Sequence, residues 1–256
     1  MRIDQLLVHR GLASTRSQSQ RLIAAGVQWR DGENWRRVAK NGDEVDAQAQ
    51  IRLLDDAEAR YVSRGGLKLE AALKQVGLSV SGLVCLDVGQ STGGFTDCLL
   101  QHGAARVVGV DVGSAQLHPK LRQDARVCCL EGVNARHLCA TDLIAYYADG
   151  TGVASQFDLI VTDLSFISQT LVLPAVLPWL TNGGTLLSLV KPQFELQPAQ
   201  VGKGGIVKDA LHYQVVEQRL RTACAALGLD VKAWFDSPIA GGDGNREFFI
   251  HATKPI

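Results

Sequence analysis

Four residues that can trade protons stand far apart in the chain: Lys68, Asp163, Lys191 and Glu247. Two lysines and two carboxylates can neutralise one another in a buried site, where an unpaired lysine would be disfavoured. A second ammonium beside a lysine resists double protonation, so one amine of such a pair is released more readily in neutral form. A neutral amine can take the proton of a sugar hydroxyl while that oxygen attacks an electrophilic methyl group. On this reading a lysine is the base, and Asp163 and Glu247 orient the pair. The same four residues would also make two structural salt bridges, and only their placement separates the alternatives.

The elements around them supply that placement. Apolar runs at 83–88, 106–110, 126–130, 157–161 and 185–190 read as strands buried on both faces. Helical patterns lie between them: one through Phe95, Cys98, Leu99 and Leu100, one over 168–180 kinked by Pro174 and Pro178, and one over 209–227. Two last strands, 229–235 and 247–253, are joined by a tight GGDGN loop that implies an antiparallel pair. The alternation predicts an α/β fold: a doubly wound, Rossmann-like and mostly parallel sheet, with ligands at the carboxyl ends of its strands. Asp163 follows the fourth strand, Lys191 the fifth, and Glu247 begins the last, so the three converge there. Lys68 is expected in the first turn of a helix over 68–77, a position opposed by the helix dipole.

The stretch LVCLDVGQSTGGFT, Leu83 to Thr96, is a strand, a glycine turn and a helix start, which brings bare backbone N–H groups close to a ligand. Its glycines do not satisfy G-x-G-x-x-G. Asp87 at the strand end is awkward beside a pyrophosphate. It suits a zwitterion with a cationic amine, such as the methionine part of S-adenosylmethionine. Asp111 ends the next strand 24 residues after Asp87, where a carboxylate can accept both hydroxyls of a ribose. Each feature has a bland alternative: a turn that binds nothing, and an aspartate that caps a turn. Together they indicate a nucleoside cofactor.

Residues 1–58 form a separate small module of two helices and short strands, the second helix capped by Ser14 or Thr15 and ending at Gly26. Short strands are expected at Asp43–Val45 and Ile51–Leu53. Acidic and basic residues balance overall at 26 each, but residues 1–40 carry eight Lys and Arg against three acids, and 41–58 reverse the sign. A basic end on a small domain suits an RNA backbone, with Arg2, Arg10, Arg16 and Arg21, and Arg64 in the linker 59–67, as candidate contacts. Residues 68–256 are the second domain. Six cysteines without a C-x-x-C pair or metal-ligand spacing read as small buried residues in a reducing compartment. No signal peptide or spanning segment is apparent, so a cytoplasmic protein without a metal or a membrane partner is expected. Oligomeric state is not readable.

MRIDQLLVHRGLASTR, LIAAG and GDEV resemble the RNA-binding domain first known from ribosomal protein S4, although Trp29 lies where that family has a V-x-V-N-G turn. SRGGLKLE, DVGQSTGGFTD, VVGVDVG, NAR, TDLSFIS, LVKPQFE and SPIAGGDGNREFF, in this order, resemble the TlyA family of haemolysin-A-like enzymes. That resemblance implies an FtsJ-like, S-adenosylmethionine-dependent 2′-O-methyltransferase acting on cytidine of ribosomal RNA within ribosomal subunits. It places the catalytic tetrad on Lys68, Asp163, Lys191 and Glu247. It places the cofactor on Asp87, Gly89, Ser91, Thr92, Gly93, Gly94, Phe95, Asp111, Asn134 and Asp163. Gln90, and Gly132-Val133 before Asn134, depart from the family pattern. The haemolysin label keeps a membrane-active, pore-forming protein as a rival, and a non-catalytic RNA-binding assembly factor is another.

Overall fold

A computed structural model describes residues 1–54, 59–143, 156–241 and 244–256. Asp55, Asp56 and Glu58 of the acidic run, and part of the GGDGN loop, lie outside the described residues. The chain divides into two compact units, Met1–Leu67 and Lys68–Ile256.

The first unit packs α1 (Ile3–His9) and α2 (Arg16–Gly26) beside a three-stranded sheet of β1 (Val27–Asp31), β2 (Asn34–Arg37) and β3 (Ile51–Leu53). Thr15 is the cap of α2: its hydroxyl accepts from the Gln18 N–H at 3.1 Å. Ile3, Leu6, Leu7, Leu22, Ile23 and Val27 form the core. The strand expected at Asp43–Val45 is reduced to a single bridge between Arg2 and Glu44. The Asp43 carboxylate accepts from the N–H groups of Ala39 and Lys40, which closes a turn there and ends regular pairing.

Helix α3 runs from Arg64 to Val76, earlier than expected, and absorbs Gly65 and Gly66. Gly66 serves packing rather than freedom of the chain, because a Cβ there would lie 2.3 Å from Cγ of Tyr61. Lys68 therefore sits in the second turn, and the expected conflict with the helix dipole falls away.

The second unit is a seven-stranded sheet. Its strands are β4 (Val84–Val88), β5 (Arg106–Asp111), β6 (Val127–Glu131), β7 (Phe157–Asp163), β8 (Leu180–Val190), β9 (Asp230–Asp236) and β10 (Phe248–Thr253). They are ordered β6-β5-β4-β7-β8-β10-β9, with β4 to β8 parallel and β10 antiparallel to both neighbours. The intervening helices are α4 (Gly94–Gln101), α5 (Pro119–Arg122), α6 (Gln169–Val176), α7 (Pro192–Glu195) and α8 (Ala210–Ala226). The helix expected over 168–180 stops at Val176 and tightens into a 3₁₀ turn at Leu177–Trp179, where Pro178 cannot continue α-helical hydrogen bonding. Buried Leu86, Val88, Val108, Ile160, Leu186 and Ile250 make the central layer of one core. Strand order reverses between β4 and β7, which opens a crevice at their carboxyl ends.

Candidate active site

That crevice is a cavity of about 490 Å³. Gly89, Ser91, Asp111, Asn134 and Asp163 of the expected cofactor residues line it, together with apolar Val110, Val133 and Ile167. Gly89 has φ +87°, and a Cβ there would lie 2.6 Å from the carbonyl oxygen of Asp163, so glycine is what lets β4 and β7 end side by side. The Asp111 carboxylate accepts the N–H groups of Ser91 and Gly113, each at 2.7 Å, and so ties two loops at the rim. Thr92, Gly93, Gly94 and Phe95 are not among the residues that line the cavity; Thr92 is exposed and the other three are buried. Gly93 (φ +93°) opens α4, and Phe95 is a core residue whose ring stacks on Phe249 at 6.4 Å. Asp87 is completely buried beneath the turn and does not reach the cavity. One of its oxygens accepts from the Thr96 hydroxyl at 2.7 Å, and the other has no hydrogen-bond partner among the described residues. Burial, with the nearby charge of Asp163 adding, pushes its pKa up to about 7.

The four proton-trading residues fall into two pairs. Lys191 Nζ lies 2.6 Å from Asp163 Oδ1 and donates to the Ser165 hydroxyl at 2.9 Å. Lys68, buried on α3, donates to Glu247 just before β10. Burial raises the Glu247 pKa above its usual range against the lowering effect of Lys68; the charges of Lys191 and Asp163 also act on it, so the two pairs share one field. Asp163 and Ser165, the two partners of the Lys191 amine, both line the cavity. Two more residues belong here that the strand and helix patterns do not reveal. Phe166 is 90% exposed with a left-handed backbone (φ +64°), a conformation that costs a bulky residue of order 1–3 kcal/mol. Its ring lies 5.0 Å from that of Phe194 on α7. The sequence signals for Ser165 and Phe166 are their place directly after the strand end bearing Asp163 and their inclusion in the TDLSFIS motif. The structure thus brings the tetrad, the glycine turn and Asp111 to one edge of the sheet.

FtsJ-like methyltransferases match residues 61–254, and the S4 domain matches residues 1–26. The 16S/23S rRNA (cytidine-2′-O)-methyltransferase TlyA of Mycobacterium tuberculosis is 41% identical over 258 residues, covering 97% of this chain and 88% of the relative. The chain belongs to the TlyA family. A Bacillus subtilis relative, the candidate rRNA methyltransferase YqxC, is 45% identical over 254 residues, with 99% and 86% of the two chains covered. The solved structure of a candidate hemolysin from Streptococcus thermophilus superposes with a TM-score of 0.73 at 41% identity, covering 100% of this chain and 88% of that one.

The departures from the TlyA pattern have structural counterparts. Gln90 is buried and donates to Thr96 Oγ1 at 2.9 Å, in space that Gly109 provides: a Cβ at Gly109 would lie 1.9 Å from the Gln90 amide. Val133 lines the cavity, and its N–H donates to the Asp111 carbonyl. In the S4-type unit, Arg2 and Arg16 both pair with buried Asp4, whose pKa they hold well below the usual carboxylate range, the Arg2 hydrogen bond foremost. Arg10 donates to the carbonyls of Ala47 and Ala49, and Arg21 to that of Ser17. Arg64 sits in the first turn of α3. Cys85, Cys98 and Cys224 are buried as expected, whereas Cys128 and Cys129 are half-buried and Cys139 is exposed. Among the described residues no helix is long and apolar enough to cross a membrane.

Proposed function

We propose that this protein uses S-adenosylmethionine to methylate the ribose 2′-oxygen of cytidine in ribosomal RNA. The observation that carries the reading is the Lys191 amine, held by Asp163 and Ser165, which line the same cavity as Asp111. The residues fit the cofactor. Gly89 cannot carry a side chain and leaves backbone bare; the Asp111 carboxylate retains acceptor capacity for ribose hydroxyls; Val110, Val133 and Ile167 offer apolar surface to a base. S-adenosylmethionine, when bound, supplies a methyl group that is already electrophilic.

What remains for the chain is to position one oxygen and remove one proton. Lys191, in its neutral form, accepts the 2′-hydroxyl proton at Nζ and becomes the ammonium as the oxygen takes the methyl group, a contribution of roughly 10²–10⁴-fold for general-base catalysis. Asp163 and the Ser165 hydroxyl then receive the hydrogens of the ammonium that forms. Lys68 and Glu247 compensate one another's buried charge and keep the field at the site balanced. The exposed Phe166 and its neighbour Phe194 provide aromatic surface on which an unstacked base can rest. The arginines that flank α1 and lie on α2 of the S4-type unit suit the RNA backbone, and ribosomal subunits as substrate imply a cytoplasmic enzyme. An assembled tetrad favours catalysis over a purely RNA-binding role, and the same cavity gives no support to pore formation.

The test is methyl transfer from labelled S-adenosylmethionine to ribosomal subunits, followed by digestion to nucleosides. The label is expected in 2′-O-methylcytidine. Label in a base, or none with a protein that binds the cofactor, overturns the proposal.

A further inference from the structure

A buried polar network runs beneath the two segments that carry Asp163 and Lys191. Thr162 and Ser188 face each other across β7 and β8 with hydroxyls 2.6 Å apart, and Thr162 also reaches Gln169 Oε1 at 3.2 Å. The Gln169 side chain donates to the Leu189 carbonyl at 3.0 Å. The Glu195 carboxylate closes the network: one oxygen accepts from the Gln169 backbone N–H at 2.7 Å, the other from the Ser168 hydroxyl at 2.5 Å. Arg219 of α8 donates to the Glu195 carbonyl. Thr162, Ser188, Gln169 and Glu195 are all buried. Burying a carboxylate here is unfavourable, and hydrophobic side chains would pack the same space, so stability alone does not account for the set.

The geometry accounts for it. Ser168 and Gln169 end the loop that begins at Asp163 and carries Ser165 and Phe166; Glu195 ends the short helix that begins after Lys191 and carries Phe194. Nothing in either segment's own backbone holds it to the other, and the loop contains the strained Phe166. We propose that Glu195 is a positioning residue, clamping the Ser168–Gln169 turn so that the Lys191 amine stays between Asp163 and Ser165. The clamp extends the proposed role of Lys191 as base, and it touches neither substrate nor cofactor itself.

The test separates the clamp from that role by reading the lysine directly. Lys191 is 13% exposed in the folded protein, and its modification by trinitrobenzenesulfonate, quantified by mass spectrometry, needs neither RNA nor cofactor. With Glu195→Ala, Lys191 is expected to be modified several times faster while other lysines are unchanged. In the same variant kcat for methyl transfer should fall by roughly a hundredfold, the cost of a displacement of about 1 Å, with cofactor affinity retained. Glu195→Gln keeps an acceptor for Gln169 and a donor for Ser168 Oγ, and should restore both readouts to near wild type. Circular dichroism reports folding, and where Glu195→Ala does not fold, Ser168→Ala takes its place with a smaller increase in labelling expected. Wild-type labelling of Lys191 in a folded Glu195→Ala or Ser168→Ala protein overturns the clamp, as does Glu195→Gln behaving like Glu195→Ala. If the wild-type protein transfers no methyl group to RNA, the function falls while the labelling result still decides the clamp.

Discussion

Asp111→Ala removes a carboxylate that does two things at once. Its oxygens tie the Ser91 and Gly113 N–H groups at 2.7 Å each, and they retain unused lone pairs at the cavity wall. The Ser91 contact is solvent-exposed, so water replaces it in the variant and the free protein should lose only about 1 kcal/mol of stability. Cofactor affinity should suffer more. Hydrogen bonds to a charged acceptor contribute about 1.5–3 kcal/mol each, and two ribose hydroxyls at a partly solvated rim suggest a net loss of ~2–4 kcal/mol. At 1.4 kcal/mol per tenfold, Kd rises roughly 30- to 700-fold. Asp111→Asn keeps one acceptor but turns an amide donor toward a backbone N–H, so its loss should be intermediate. Calorimetric titration of S-adenosylmethionine without RNA measures both. A Kd for Asp111→Ala equal to that of the wild type would refute the ribose assignment.

Other expectations follow from the same geometry. Asp87 has a folded pKa of about 7 through burial, above its unfolded value near 3.9, so its stabilising contribution is complete below about pH 4 and disappears as the pH rises toward 7. Asp87→Asn should therefore unfold in urea with a stability at pH 8 raised by on the order of 3–4 kcal/mol relative to wild type and little changed near pH 4; an identical pH dependence of the two proteins would contradict the buried-charge reading. Lys68→Met leaves Glu247 buried without its partner, which should cost about 3–5 kcal/mol at pH 8 and less as the pH falls, because burial raises the Glu247 pKa and eases its protonation; thermal melts across the pH range check this. Removing residues 1–58 should leave a folded protein that binds cofactor but no longer methylates ribosomal subunits, and full activity of the shortened protein would show that the S4-type unit does not position the substrate.

The parts of the site that were legible in the sequence are those fixed by strand ends. Asp163 and Lys191 each follow a run of apolar residues, and a parallel sheet brings such positions to one edge whatever the details between them. The glycine turn was legible because Gly89 has no alternative where β4 meets the Asp163 carbonyl. Burial of Asp87 was not: an acid at a strand end reads the same whether it faces the cavity or lies beneath the turn. Gly65 and Gly66 read as a linker because glycine weakens a helix, yet contact with Tyr61 makes Gly66 part of α3. Phe166 and Phe194 meet across separate segments, and Glu195 reaches back to Ser168; no periodicity encodes contacts of that kind.

The central claim is that Lys191 removes the ribose proton, and Lys191→Arg tests it most directly. The guanidinium preserves positive charge beside Asp163 but does not give up its proton in this range. Single-turnover methyl transfer to ribosomal subunits, with cofactor saturating, should fall by roughly two to four orders of magnitude, as in Lys191→Ala, while cofactor affinity is retained. A Lys191→Arg enzyme that transfers the methyl group at close to the wild-type rate would show that the lysine acts only as a positive charge and that another group takes the proton.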